Sequence, residues 1–433
     1  MASQKLHFHR ASILNPLSDT KCDYIQDGLL VVKGKKIKDL MSFAQGSKKY
    51  LDKINKKNFT DHGKALIMPG FYDLHFHWVQ DDVREMPKDS LLEWLEKYTF
   101  PAEMKFAARV HADKKAKGFF KTLSATGTIG GACYSSIHEC AIDAAMDHAQ
   151  GDFVIGNVLM NMNSPKQLTQ SEDESLDLTK RLIKRYGKRF CFTPRFAITT
   201  SPRVMEKGSK MTDKAKCFKQ THLSETPKEI EFVLSIYKDF PEYKKVRNYT
   251  EIYHRAGMLG KRSLMGHGIH LSQQELNLLA KTKTTLVHCP TSNAPIKEKG
   301  LGSGLFNFKK VEKSKVRWAL GSDIGGGPFL SMFDVMRSFV EQNKRKKITG
   351  ATYTKALYRS TLAGAEILGK GKVSGNFAKG KFANFIVVPA PRKAAKKAED
   401  ILRELANSVG KTRHKYADMV KLTVYKGAVL FRS

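Results

Sequence analysis

Five side chains able to ligate a metal ion stand where strand-like runs of this sequence end. Met68-Pro-Gly-Phe-Tyr-Asp-Leu-His-Phe-His77 sets His75 and His77 two residues apart. Alternate side chains of an extended strand share a face, so both imidazoles can reach one ion. Neutral imidazole is a common zinc ligand. The spacing alone is a weak signal, because Leu6-His-Phe-His9 repeats it. His7 and His9 read as two histidines on one side of an N-terminal strand. The second pair differs in its company. Thr221-His-Leu-Ser-Glu225, Met265-Gly-His-Gly-Ile-His270 and Gly321-Ser-Asp-Ile-Gly-Gly-Gly327 each close a further strand-like run. His222, His267 and Asp323 therefore join His75 and His77 at strand ends. One such residue reads as structural; five together point to a metal centre.

The elements that must position them follow from the hydrophobic pattern. Leu29–Val32 and Ile37–Met41 flank the turn Lys33-Gly-Lys-Lys36 as a hairpin. Strands also recur at Phe382–Val388 and Leu422–Tyr425, around a helical stretch near Ala394–Asn407. Between the chain ends, strands and helices alternate. Helices are predicted at Leu91–Lys97, Glu229–Tyr237, Gln273–Lys281 and Met332–Lys344. Strands are predicted at Phe153–Leu159, Ser263–His267, Thr285–His288 and Val316–Leu320. Such alternation over about 300 residues predicts a parallel α/β architecture, and a (β/α)8 barrel fits the length. No GxGxxG follows the first strand of that region, which leaves the doubly wound alternative without support. The barrel is expected over residues 67–370, with residues 1–66 and 371–433 combining in a small β-sandwich domain. In a barrel the carboxyl ends of all strands converge on one face, so the five residues would meet there.

Composition narrows the class. With 41% hydrophobic and 10% aromatic residues among 433, a large core can form. No apolar run approaches a membrane span, and Met1–Asn15 does not read as a secretory signal. Cys22, Cys133, Cys140, Cys191, Cys217 and Cys289 are scattered without a CxxC pair. Reduced thiols in a cytoplasmic protein fit better than a disulfide framework. The charge is unusual: 75 Lys and Arg against 42 Asp and Glu leave +33. Nucleic-acid or anionic-membrane binding would use such a surface. Yet the lysines are spread along the chain, with local clusters such as Arg392–Lys397, and no nucleic-acid-binding motif accompanies them. A solvated basic surface is the preferred reading.

The order HxH, His, His, Asp resembles the amidohydrolase superfamily of metal-dependent barrels. Finer stretches look like its guanine deaminase branch: Leu92–Glu103, Thr193-Pro-Arg-Phe196, Thr221–Glu225, Gly266–Ser272, His288–Asn293, Gly302–Asn307 and the helix around Met332–Arg337. The likeness runs from about Leu30 to Val388. It implies one zinc ion per chain, held by His75, His77, His222 and Asp323, whose bound water is acidified for attack on guanine. The products would be xanthine and ammonia. Asp323 would accept the water's proton, Glu225 would carry a proton to the ring nitrogen and leaving group, and His267 would act beside the metal. Substrate binding would rest on Gln80, Arg195 and Phe196, with His77, His222, Glu225 and Asp323 also bordering the base. Gln80 offers donor and acceptor groups, Arg195 a guanidinium for the six-position carbonyl, and Phe196 a stacking face. A homodimer is implied by the same resemblance.

Some residues have no assigned part. His288 could orient a neighbour, Asn293 could shape the pocket, and Gly325–Gly327 could bring backbone close to the site or simply turn the chain. His270 reads as a loop or helix-start residue, and His138 and His254 carry no role. The chain departs from the family pattern at bulky Trp78 and Val79, and in a longer segment at Ala294–Gly300, all expected near the pocket. Another aminohydrolase acting on a different purine, pyrimidine or triazine therefore stays open. So does a nucleic-acid-binding protein on the same scaffold. A phosphate-ester hydrolase is disfavoured, since no phosphate cradle is visible.

Overall fold

A crossover helix gives two strands the reach to pair in parallel, and the short apolar runs of the chain's centre do so. The computed structural model describes residues 5–391 and 396–433. It opens with β1 (Leu6–Pro16), β2 (Cys22–Lys33), β3 (Lys36–Ser42) and β4 (Phe59–Pro69). The parallel set comprises β5 (Phe71–His77), β6 (Thr128–Tyr134), β7 (Asp152–Gly156), β8 (Val158–Leu159), β9 (Cys191–Pro194), β10 (Phe218–Leu223), β11 (Ser263–His267), β12 (Thr285–His288) and β13 (Arg317–Leu320). β14 (Phe385–Pro389), β15 (Leu422–Tyr425) and β16 (Ala428–Arg432) complete the order.

β5, β6 and β7 pair in sequence, and β8 to β13 form a second run in chain order. Two seams join these runs. Ile155 bridges Phe190, and beyond β13 the Asp323 amide donates to the His75 carbonyl at 2.7 Å while the His77 amide donates to Ile324. The second seam brings the end of β13 onto β5 and so sets Asp323 beside the two histidines. The strand expected over Phe153–Leu159 is broken at Asn157 into β7 and β8. β5 is buried along its whole length and shifts register against β6 between Asp73 and Phe76. Irregularities of this kind gather next to active sites, where they re-aim side chains.

The two chain ends meet in one sheet of order β16-β15-β14-β4-β1-β2-β3. A sandwich of the two ends was expected; their pairing runs unbroken through all seven strands. β1 explains the continuity, since it pairs antiparallel with β2 and parallel with β4, with register shifts on both sides. Alternation divides the faces: Leu30 and Val32 pack with Ile13, Ile67 and Phe385, while Leu29 and Val31 pack with Phe8 and Tyr50.

The helices at Pro227–Tyr237, Gln273–Thr282 and Met332–Arg345 match their sequence patterns. The stretch expected near Ala394–Asn407 is helical over Ala398–Asn407, and residues 392–395 lie outside the described residues. The segment read as a helix over Leu91–Lys97 is helical only over Leu91–Trp94 and then passes through a π turn, Leu95–Thr99, into Phe100–Met104. Pro101 lacks the amide a regular helix would use there. The wider turn lets Leu91, Trp94 and Leu95 face one pocket while Glu103 points inward. No helix among the described residues is long and apolar enough to cross a membrane.

Candidate active site

The strand ends converge as the barrel requires. Ligand atoms of His75, His222, His267 and Asp323 all lie within 4.8 Å of one another. His267, expected beside the metal, falls inside this set, whereas His77 stands next to it, its Nε2 3.1 Å from His222 Nε2 and 3.6 Å from Asp323 Oδ1. Asp323 Oδ1 is 3.2 Å from His75 Nε2. His222 Nδ1 faces the Arg195 carbonyl at 2.6 Å. That contact fixes the proton on Nδ1 and turns Nε2 to the cluster. Tyr134 packs its ring against His75 and His77 at centroid separations of 4.5 and 4.4 Å.

Burial sets the protonation. It lowers the pKa of His75, His77 and His222, and the neighbouring imidazoles lower those of His77 and His222 further. Neutral imidazoles are the ligating form. Burial alone would raise Asp323, but the neighbouring imidazoles of His75, His267 and His77 outweigh it and hold the carboxylate ionised. The buried Nε2 atoms of His75 and His267 have no hydrogen-bond partner. Several neutral imidazoles, one ionised carboxylate and unpaired buried nitrogens form a donor set that suits a zinc-type ion.

Glu225 and His267 form a second layer of chemistry. Burial raises the Glu225 pKa, and Asp323 adds to the rise against the pull of His267. Its Oε1 accepts from Ser303 Oγ at 2.8 Å and from Asn293 Nδ2 at 3.3 Å, and Oε2 lies 3.4 Å from His267 Nε2. Asn293 Nδ2 also faces His267 Nδ1 at 3.0 Å, so one amide aligns both side chains. Burial works against the His267 cation, but Glu225, Asp323 and Glu229 outweigh it and raise the pKa. His267 and Asp323 both adopt positive φ, at 67° and 50°. Left-handed backbone at non-glycine residues costs about 1–3 kcal/mol each and clusters at functional sites.

A pocket of about 380 Å³ opens onto this cluster. His77, His222, Glu225 and Asp323 reach it from the floor; Gln80, Arg195 and Phe196 line its side; Leu91, Trp94, Leu95 and Leu301 supply apolar wall. Arg195 Nη1 donates to both oxygens of Glu103, at 3.0 and 2.9 Å. Gln80 Nε2 donates to the same carboxylate at 2.9 Å. Glu103 is fully buried and holds both substrate-side residues.

All the residues assigned from sequence thus gather in or around one pocket. The decoy pair does not join them: in the terminal sheet, His7 Nε2 meets Thr60 and His9 Nδ1 meets His62. His288 stacks on Phe306 with ring centroids 4.5 Å apart, and His270 faces the Ser303 carbonyl. Trp78 was expected near the pocket. It turns away, donating from Nε1 to Ser135 Oγ at 3.0 Å and packing against Phe106. The Ala294–Gly300 segment leads into the wall residue Leu301. Within Gly325–Gly327, a Cβ on Gly326 would stand 2.7 Å from Asp323 Oδ2, so the close approach requires glycine there. Sequence reasoning missed Glu103, Ser303 and Asp73. Asp73 accepts from the Ser322 amide at 2.9 Å and from its hydroxyl, bracing the segment that carries Asp323. Glu103 lay inside a stretch already singled out, and its spacing of 92 residues from Arg195 gave no local signal.

Gly266 offers a direct check. A Cβ at this position would lie 2.5 Å from Cε1 and 2.7 Å from Nδ1 of His75. Gly266→Ala should push that imidazole out of the cluster and lower metal content at least about tenfold, as loss of a supporting contact to a ligand does. Metal analysis of the folded variant measures this; unchanged content would refute the packing argument.

Parallel strands carrying a His/Asp donor set and a buried proton-exchanging carboxylate in one small pocket define a barrel hydrolase built to hold a metal ion. The family model described as "Amidohydrolase family" matches residues 66–424, and the chain belongs to that family. Among its relatives, the guanine deaminase of Escherichia coli is 34% identical over 375 residues, covering 84% of this chain and 82% of that protein. The guanine deaminase of Homo sapiens is 32% identical over 75% of this chain and 72% of its own. A solved guanine deaminase from C. acetobutylicum with bound guanine in its active site superposes with a TM-score of 0.86 at 27% identity, covering 99% of this chain and all of that one.

Proposed function

We propose that this chain hydrolyses guanine to xanthine and ammonia, using one zinc ion held by His75, His77, His222 and Asp323. The observation that carries the reading is a single pocket whose floor is the His/Asp cluster with Glu225 and whose side carries Arg195, Gln80 and Phe196. Zinc, when bound, supplies a water acidified enough to react at neutral pH. Asp323 is held ionised and would be the proton acceptor for that chemistry. Glu225 keeps its proton to higher pH than an exposed glutamate and can pass it to a ring nitrogen and then to departing ammonia. His267 Nε2 faces both carboxylates and steadies the charge that moves between them.

Recognition follows from the pocket's sides. Glu103 ties Nη1 of Arg195, leaving the rest of the guanidinium for the six-position carbonyl oxygen. Phe196 offers its face to the purine, and Leu91, Trp94, Leu95 and Leu301 exclude water. Trp78, the departure that kept a different heterocycle open, is turned away from this pocket. The same reading carries a cytoplasmic homodimer.

The test is ammonia release from a panel of purines, pyrimidines and triazines by metal-quantified protein. Guanine-selective release at about one zinc per chain is the expected result. Preference for another base would overturn the substrate, and silence on every base would overturn the reading. Arg195→Ala should raise the KM for guanine and also cost about 3–5 kcal/mol of stability, because the Glu103 carboxylate is left buried without a countercharge. Adding Glu103→Gln should restore most of the stability without restoring KM. Thermal unfolding beside steady-state kinetics separates the two effects; an unchanged KM in Arg195→Ala would remove this residue from recognition.

A further inference from the structure

We propose that the amino-terminal end of the barrel, opposite the candidate active site, carries a second binding site, for a polyphosphate anion. A cleft of about 1560 Å³ lies there, against about 380 Å³ for the active-site pocket. Lys188 and Arg189 come just before β9, Lys216 before β10, Lys261 and Arg262 before β11, and Arg317 opens β13. Parallel barrel strands all begin at this end, so cations far apart in sequence are brought together. Lys370 and Lys426 also line the cleft.

The cleft is more than a sample of a basic surface. Eight of its eighteen lining residues are Lys or Arg, against 75 of 433 in the chain. Only Asp152 and Glu366 oppose them. Among the described residues, Lys370 alone of the eight has a carboxylate within 4.0 Å, at 3.7 Å from Asp152. That carboxylate already accepts from the Tyr72 and Tyr425 hydroxyls at 2.7 and 2.9 Å. Elsewhere, exposed arginines such as Arg181 and Arg185 are paired with acids at 2.8 Å.

Two arginines give the cleft a built anchor. Arg317 is half-buried, and its Nη2 donates to the Lys261 and Lys283 carbonyls, which hold the side chain without neutralising it. The Nε atoms of Arg262 and Arg317 are buried and have no hydrogen-bond partner. A guanidinium that is held in place and left unneutralised attracts phosphate oxygens. Gathering like charges in a concave surface is unfavourable unless a multivalent anion offsets the repulsion, and a low-dielectric cleft focuses that attraction. The ligand chemistry is a short chain of phosphates, either inorganic or borne by a nucleotide.

Calorimetric titration of the full chain with inorganic tripolyphosphate and with ATP tests this. Saturable binding of tripolyphosphate is expected, weakening as salt rises. Matching affinity for ATP would assign recognition to the phosphates alone, whereas tighter ATP binding would assign a nucleotide. Arg262→Gln with Arg317→Gln should weaken binding at least about tenfold. The exposed pair Lys188→Gln and Lys216→Gln, which spares the barrel's interior, should weaken it in the same direction. Lys56→Gln with Lys57→Gln, on the exposed loop before β4, should leave it unchanged. Guanine turnover should stay within about twofold in all three, since the strands separate the two ends. The proposal is overturned if tripolyphosphate does not bind saturably, whether or not a long RNA strand does. It is equally overturned if neither cleft pair weakens binding or if the Lys56/Lys57 pair weakens it as much.

Discussion

Glu225→Gln is expected to lower guanine turnover by about 10²–10⁴-fold while zinc content stays near that of the unaltered protein. The side chain is 2% exposed and held at both oxygens, by Ser303 and Asn293 on one and beside His267 on the other. Glutamine keeps the shape and most of these contacts but cannot release and recover a proton. The pH profile adds a second readout. Burial raises the Glu225 pKa, so the protonated donor persists to higher pH than an exposed glutamate allows. Its population falls as pH rises through that pKa, and turnover should fall with it on the alkaline side. The glutamine variant should lack that limb. Normal turnover in Glu225→Gln would sink the proton-transfer assignment.

Asp323→Ala should lose metal and activity together. Its Oδ1 stands 3.2 Å from His75 Nε2 and 3.6 Å from His77 Nε2, and it is the one ionised carboxylate in the donor set. Without it, a divalent cation would sit in a buried pocket among neutral imidazoles, where desolvation is least compensated. Turnover should drop by more than about 10⁴-fold, because several kcal/mol of charge stabilisation depend on the ion. A pH effect on stability follows as well. Because the folded state holds the Asp323 pKa below its ordinary value, this residue stabilises the fold above the ordinary carboxylate range. That contribution is lost as pH falls through the lowered pKa. Metal analysis after gel filtration, beside unfolding at several pH values, reads both effects. Retention of one equivalent of metal would remove Asp323 from the ligand set.

Local pattern determined a large share of this protein. The alternation of strands and helices, the ends of β10 to β13 and the positions of His75, His77, His222, His267 and Asp323 are all legible in the order of the residues. Each is a short-range property: hydrophobic period sets an element, and the residue after its last apolar position stands at its end. That two HxH pairs, at His7 and at His75, have different fates is also readable, from the company each keeps along the chain. Tertiary structure decided the rest. Arg195 and Gln80 are held by Glu103, Glu225 by Asn293 and Ser303, and the Asp323 segment by Asp73. These partners come from distant segments, and no local spacing encodes them. Trp78 follows the second metal-site histidine directly and so was expected at the pocket, but its packing with Phe106 and Ser135 turned it away. The seven-stranded terminal sheet depends on β1 pairing on both edges, and the basic cleft depends on strands starting at a common end. Chain geometry over a few residues fixes which side chains are presented, whereas barrel closure and packing fix which of them meet.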